Sequence, residues 1–395
     1  YTLSASGLSS NHQEVVLAKQ LSLIRSPDAL ILCEKCGLAT PQSDLSQESP
    51  MDLTTRYMGL QLKNPLVASA SPLTGELDSL RRLEDAGAAA MVLPSLFQEE
   101  IEAETARYEH LTSAHDDSWP EGLSNFPKLA DAQHGPHHYL ELVRGARQAV
   151  AVPVIASLNG ISNEGWTSYA RQLEQAGANG LELNIYFIPT DLAATGRDVE
   201  QRYLDILRSV RTTVSIPVAM KLSPYFSSVG NMAMALHDAG ADALVLFNRF
   251  YQPDLDLTRL QVLTDLKLSE PNEIRLPLLW LAVLSGRIKA SLAASTGVTS
   301  ADEVVKYLLV GADVVMTTSS LLRQGPSHLV TLLAELEKWL DAREFTSLEH
   351  VRGVMSQRSL RDPQAFERAN YLKILQGYRQ PGPAMTRGAG RTKII

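Results

Sequence analysis

The chain has 395 residues, 45% of them apolar and 20% charged, a balance with which a soluble globular protein can bury a large core. Its length suits one α/β barrel with insertions, or two ordinary domains. A net charge of −8 offers no basic footprint for nucleic acid or an anionic membrane, and no apolar run approaches the roughly 20 residues of a membrane helix.

Residues 1–50 are rich in Ser and Gln, show weak periodicity, and pass through Pro41 to Pro50. They lack the basic start and apolar middle of a secretory signal, so they read as an extension with little structure. The two cysteines, Cys33 and Cys36, lie here as a single CxxC. That is half of a structural zinc or iron–sulfur ligand set, and no βαβ pattern surrounds it. It reads as an incidental pair, with the cytosol as default compartment. A domain is expected from Met51 to residue 379. The tail from Gln380 to Ile395 has no apolar pattern and is expected to be mobile.

The body repeats one theme, a helical stretch closed by Gly-Ala and followed by a short apolar strand. The copies are Gly87-Ala88 before Ala90 to Leu93, Gly177-Ala178 before Leu181 to Leu183, Gly240-Ala241 before Ala243 to Leu246, and Gly311-Ala312 before Val314 to Met316. Glycine ends a helix by taking the left-handed conformation at low cost. The apolar runs are too short for helices and suit strands buried on both faces. Further strands start at prolines: Pro65 to Ala68, Pro153 to Ser157 and Pro217 to Lys221. The remaining strand is expected near Lys289 to Ala294. Eight βα units predict an α/β fold of the (β/α)8 TIM-barrel type. An open doubly wound sheet is the alternative, but no GxGxxG follows any strand.

In a barrel, function gathers just after each strand. The expected mouth residues, strand by strand, are Ser69-Ala70-Ser71, Pro94-Ser95, Asn159, Asn184, Lys221, Asn248-Arg249, Ser295-Thr296-Gly297 and Thr317-Thr318-Ser319. The last two groups are small and precede expected helices starting near Ser300 and Ser320, a setting that suits a phosphate. Ordinary helix capping by Ser and Thr is the other reading. Lys221 inside a mouth is costly unless paired or useful. It could stabilise negative charge on a cofactor or ligand, or form a structural ion pair with an acid such as Glu182. Asn159, Asn184 and Asn248 offer donors and acceptors for a planar heterocycle.

Taken together, Asn64-Pro65-Leu66-Val67 leading to Ser69-Ala70-Ser71, Leu183-Asn184, Lys221 to Phe226, Phe247-Asn248, Ser295 to Val298, and Thr318-Ser319 before Gly325-Pro326 resemble the dihydroorotate dehydrogenase family, in its soluble FMN-binding branch. The resemblance runs from about Met51 to the helix after the eighth strand. It implies FMN lined by Ser69, Ala70, Ser71, Ser95, Asn159 and Asn184, with Lys221 near the flavin's pyrimidine edge. It implies a phosphate held by Ser295, Thr296, Gly297, Thr318 and Ser319. Substrate contacts are implied for Asn184, Asn248 and, loosely, Asn125, with Arg249 beside them. The implied chemistry is hydride transfer from a saturated C–C bond to flavin while a base removes the neighbouring proton. The family's base is a Cys or Ser after the strand-four asparagine. Here that loop is Ile185 to Asp191 and holds neither, so Tyr186, Thr190 and Asp191 are the substitutes. A family lysine after strand two is replaced by Pro94. The flavin site therefore reads as kept and the dihydroorotate site as altered.

The tract His134-Gly135-Pro136-His137-His138 reads as an exposed loop rather than a metal site. The expected partner is a small-molecule substrate, with neither nucleic acid nor membrane, and a homodimer is the assembly that the resemblance suggests. Two alternatives to an FMN oxidoreductase remain at this level. One is a flavin-free lyase or isomerase using Lys221 on a phosphorylated metabolite. The other is a flavin-binding homologue without turnover.

Overall fold

The structure is a computed structural model that describes residues 51–101, 136–160, 163–249, 252–263, 265 and 267–377. The leader with Cys33 and Cys36, the candidate Asn125, His134 and the tail lie outside the described residues.

An antiparallel hairpin, β1 (Thr55–Tyr57) with β2 (Leu60–Leu62), opens the fold. Eight parallel strands follow in βα order. They are β3 (Leu66–Ala68), β4 (Ala90–Phe97), β5 (Val154–Asn159), β6 (Gly180–Asn184), β7 (Val218–Leu222), β8 (Ala243–Leu246), β11 (Ser291–Ala294) and β12 (Val314–Thr317). They close into one barrel in which β12 pairs back onto β3, with Val315 opposite Leu66. A small antiparallel hairpin, β9 (Asp254–Asp256) with β10 (Gln261–Leu263), is inserted after β8. The expected (β/α)8 barrel is thus the observed fold.

The intervening helices are α1 (Leu77–Asp85), α2 (Pro136–Ala149), α3 (Asn163–Gln175), α4 (Gly196–Arg211), α5 (Val229–Asp238), α6 (Arg275–Leu284), α7 (Ala301–Val310), α8 (Ser319–Gln324), α9 (His328–Asp341) and α10 (Arg368–Gly377). The four junction glycines, Gly87, Gly177, Gly240 and Gly311, all sit at φ between 100° and 110°. The left-handed turn therefore ends each helix where the Gly-Ala repeat placed it. Ser300 caps α7 by accepting from the Asp302 N–H, and Glu303 returns a carboxylate to the Ser300 N–H at 2.8 Å.

Two apolar layers hold the barrel. One lies between strands and helices. The other fills the barrel interior with Val67, Val92, Ile155, Val245 and Met316 above Tyr57, Met58 and Leu62 of the opening hairpin. That hairpin plugs the strands' N-terminal end. The Met58 N–H donates to Ser291 Oγ at the start of β11, and Thr55 Oγ1 donates to the Asp313 carbonyl just before β12. Gly180, at the start of β6, makes room for this plug: a Cβ there would stand 2.9 Å from Met58 Cε.

Three expectations need correcting. Pro94 and Ser95 do not follow strand two but lie inside it, because β4 runs on to Phe97. A register shift between Val92 and Ser95 absorbs the proline, which cannot donate to the ladder. Lys221 is the penultimate rather than the last residue of its strand. His137 and His138 stand in the first turn of α2, not in a loop, and His137 lies 3.7 Å from the Glu141 carboxylate one turn on.

Candidate functional site

The C-terminal ends of the strands surround a cavity of about 320 Å³. From the first mouth come Ser69, Ala70 and Ser71, from the fifth Lys221, and from the sixth Asn248 and Arg249. Ser295, Thr296 and Gly297 come from the seventh and Thr318 and Ser319 from the eighth. Residues that span 250 positions of sequence are brought together because parallel strands all present their C-terminal ends to one face.

Lys221 is 9% exposed and Glu182 fully buried, and Lys221 Nζ stands 3.3 Å from Glu182 Oε1. Two strand neighbours make this pair, since Asn184 faces Lys221 and Glu182 faces Ala219 across β6 and β7. The second oxygen, Glu182 Oε2, is buried without a hydrogen-bond partner. Next to the pair, Asn248 Nδ2 donates to Asn184 Oδ1 at 2.8 Å. This joins the fourth and sixth mouths.

The seventh mouth is held in a conformation few sequences adopt. Thr296 has φ 81° and Gly297 φ 72°. A β-branched residue in the left-handed region persists only where its surroundings over-determine it. Here Thr296 Oγ1 and Ser295 Oγ both donate to the Phe247 carbonyl, at 3.2 and 2.6 Å. From below, the buried Tyr307 hydroxyl donates to the Ser295 and Thr296 carbonyls at 3.1 and 2.8 Å. Burial holds the Tyr307 hydroxyl far above the ordinary tyrosine range, so it stays a donor. Gly297 packs against the segment leading into α6, and a Cβ would come within 2.6 Å of Ile274 Cγ2 and 2.9 Å of the Glu270 carbonyl.

That segment carries Ser269, a residue missed in the sequence. Its hydroxyl accepts from the Gly297 N–H at 3.1 Å and donates to Ser319 Oγ at 2.9 Å, while its N–H donates to Ser319 Oγ at 3.1 Å. One serine thus ties the seventh mouth to the eighth. Glu270-Pro271 with Glu273 three positions after Glu270 is a helix-start pattern that marks the turn after Ser269 but not the bonds that Ser269 makes. Beyond it, Arg323 pairs with Glu270 at 2.6 Å and Arg249 with Glu273 at 3.1 Å. Arg249 also donates to the Lys267 carbonyl. Thr318 Oγ1 is buried without a partner beside this cluster.

Other expected residues stand apart from the cavity. Ser95 Oγ is bonded to Ser157 Oγ at 2.9 Å between β4 and β5. Asn159 faces Asn184 across β5 and β6 and lines a separate crevice with Trp166 and Tyr169. In the strand-four loop, Tyr186 is half-buried, while Thr190 and Asp191 are exposed. Asp191 accepts from the Ala193 N–H at 2.9 Å, and none of the three lines the cavity. The root of that loop is fixed: Tyr203 OH donates to the Ile185 carbonyl at 2.9 Å, and burial pushes this tyrosine up to about 12. Farther along, Arg202 stacks over the Phe187 ring at 4.0 Å.

Among the described residues, no group of three or more His, Cys, Asp and Glu could hold a metal ion, and no helix is long and apolar enough to cross a membrane. No family model matches the chain. It is similar to the catalytic subunit of dihydroorotate dehydrogenase B (NAD(+)) from Thermoplasma acidophilum, at 26% identity over 308 residues, 77% of this chain and 98% of that one. The same subunit from Methanocella arvoryzae is 30% identical over 208 residues, 52% of this chain and 65% of the relative. The NAD-dependent dihydropyrimidine dehydrogenase subunit PreA of Escherichia coli is 21% identical over 330 residues, 77% of this chain and 76% of its own.

Proposed function

We propose that this chain, similar to dihydroorotate dehydrogenases, is an oxidoreductase of that kind that binds FMN in the barrel mouth and oxidises a CH–CH bond of dihydroorotate or a related small molecule. The observation that carries the reading is the convergence of Ser69 to Ser71, Lys221, Asn248, Ser295 to Gly297, Thr318 and Ser319 on one cavity.

The residues present fit the cofactor. The cavity is within the size range of small-molecule sites, it holds a buried cation, and the Thr318 hydroxyl beside it has no partner. In this reading Ser295 to Gly297 with Thr318 and Ser319 hold the phosphate. Ser69, Ala70 and Ser71 lie along the ring system. Bound FMN supplies the hydride acceptor, so that a saturated C–C bond becomes a double bond as the hydride leaves one carbon and a proton leaves the other. Lys221 at the cavity wall would favour negative charge on the ring system when FMN is bound, with Glu182 fixing its direction. Asn248 would present its amide to the substrate from the cavity wall, held in place by its bond to the buried Asn184. An ammonium held in an ion pair is a poor nucleophile, which disfavours a flavin-free Schiff-base reading of Lys221.

Proton removal is the weak part. Tyr186, Thr190 and Asp191 do not line the cavity, and none has the reactivity of a positioned thiol. Oxidation of dihydroorotate should therefore be slow. The test is the anaerobic rate of flavin reduction by dihydroorotate in the native chain and in Tyr186→Phe, Thr190→Ala and Asp191→Asn. Slow reduction, slowed further by one of the three, supports the reading. Fast reduction unaffected by all three points to a base elsewhere.

A further inference from the structure

The barrel carries a second cavity at its other end, about 680 Å³ against 320 Å³ for the mouth, and the two share no lining residue. It opens where strands begin: Asp242 stands just before β8, Ser291 opens β11, and Asp313 stands just before β12. Arg56 lines it from the opening hairpin, Lys289 from the loop between α6 and β11, and Arg352 from the segment after α9. Both carboxylates in its wall are engaged. Asp242 Oδ2 accepts from the Val218 N–H at 2.8 Å and stands 3.4 Å from Arg211 Nη1. Asp313 Oδ2 accepts from the Leu292 N–H at 2.7 Å, and its Oδ1 pairs with Arg352 Nη1 at 2.9 Å.

Arg56 and Lys289 are different. Both are exposed, and among the described residues neither side chain makes an ion pair or a hydrogen bond. With Arg211 counted beside Asp242, four cations face two carboxylates, in a chain whose net charge is −8. Single cations on a convex surface are ordinarily just solvated, and their ion pairs are weak. A concave wall with an excess of one sign instead focuses its field on whatever enters. Arginine forks match carboxylate and phosphate oxygens, and lysine adds a point charge. We propose that this cavity is a second ligand site, taking a small molecule with two or more anionic groups, held by Arg56 and Lys289. Its volume lies within the range of small-molecule sites, which favours such a ligand over a protein segment. The site is independent of the flavin reading, since it lies at the end of the barrel away from the mouth.

Pyrophosphate and citrate are the probes, one a multivalent phosphate and the other a multivalent carboxylate. Each is titrated calorimetrically at low ionic strength into the 395-residue chain, with FMN in excess so that neither is read at the mouth. At least one should bind, and more tightly than inorganic phosphate by at least about fivefold, with affinity falling as salt rises. The tighter of the two names the anionic group that the site prefers. Arg56→Gln combined with Lys289→Gln should weaken that binding by at least about tenfold. The double variant should melt as the unsubstituted chain does, because neither side chain has a partner among the described residues to lose. Failure of both probes to bind the unsubstituted chain would overturn the proposal, and so would binding that the double variant leaves undiminished.

Discussion

At the scale of single residues, the informative group is Lys221. Its burial was foreseeable from its place at a strand end, and Glu182 was among the acids that could pair with it. What the sequence left open was whether such a pair excludes a role at the mouth. The geometry allows both, because the ammonium is held from the barrel side by Glu182 and still lines the cavity. Replacing Lys221 with Met should leave a buried carboxylate facing the cofactor. The flavin's two-electron potential should then fall by about 30–65 mV, corresponding to about 1.5–3 kcal/mol for a lost charge-assisted contact. Potentiometry on the reconstituted variant reads this directly, and an unchanged potential would assign Lys221 to the barrel's structure alone. Ser269 shows the opposite case. Nothing in its immediate neighbours says that it bridges two loops 28 and 50 positions away. Long-range hydrogen bonds of this kind leave no local pattern.

At the scale of elements, the Gly-Ala junctions made the strand order readable, since a helix end and the strand after it are both local events. The length of β4 was not readable, because a proline inside a strand ordinarily marks its start and a bulge hides that exception. The seventh mouth is where an element and the site meet. Gly297 combines φ 72° with contacts to Ile274 and Glu270 that leave no room for a methyl group. Gly297→Ala should destabilise the fold by about 1–3 kcal/mol through backbone strain and overpacking. It should also weaken FMN retention, because the Gly297 N–H can no longer meet Ser269. Thermal melting with and without added FMN separates the two effects, and a variant with native melting and full flavin would refute the assigned geometry. Tyr307 explains why the loop tolerates Thr296 at positive φ: its hydroxyl holds two successive carbonyls in place.

At the scale of the whole molecule, the eight strands close within residues 66–317, and the hairpin at 55–62 plugs their N-terminal end. We therefore propose that residues 1–50 are separable from the catalytic barrel. A chain beginning at Met51 should stay soluble and retain its flavin, as judged by its visible spectrum after purification. Insoluble or colourless protein would show that the barrel depends on the segment before it. The polar strand ends on which the FMN proposal rests were legible from the sequence, because each follows a short local strand. Which of those polar groups are already paired was not legible, because pairing such as that of Lys221 with Glu182 exists only in three dimensions. The most direct test is the flavin content of the purified 395-residue chain. The purified chain should be yellow and release close to one FMN per chain on denaturation. Colourless protein that takes up no added FMN would contradict it.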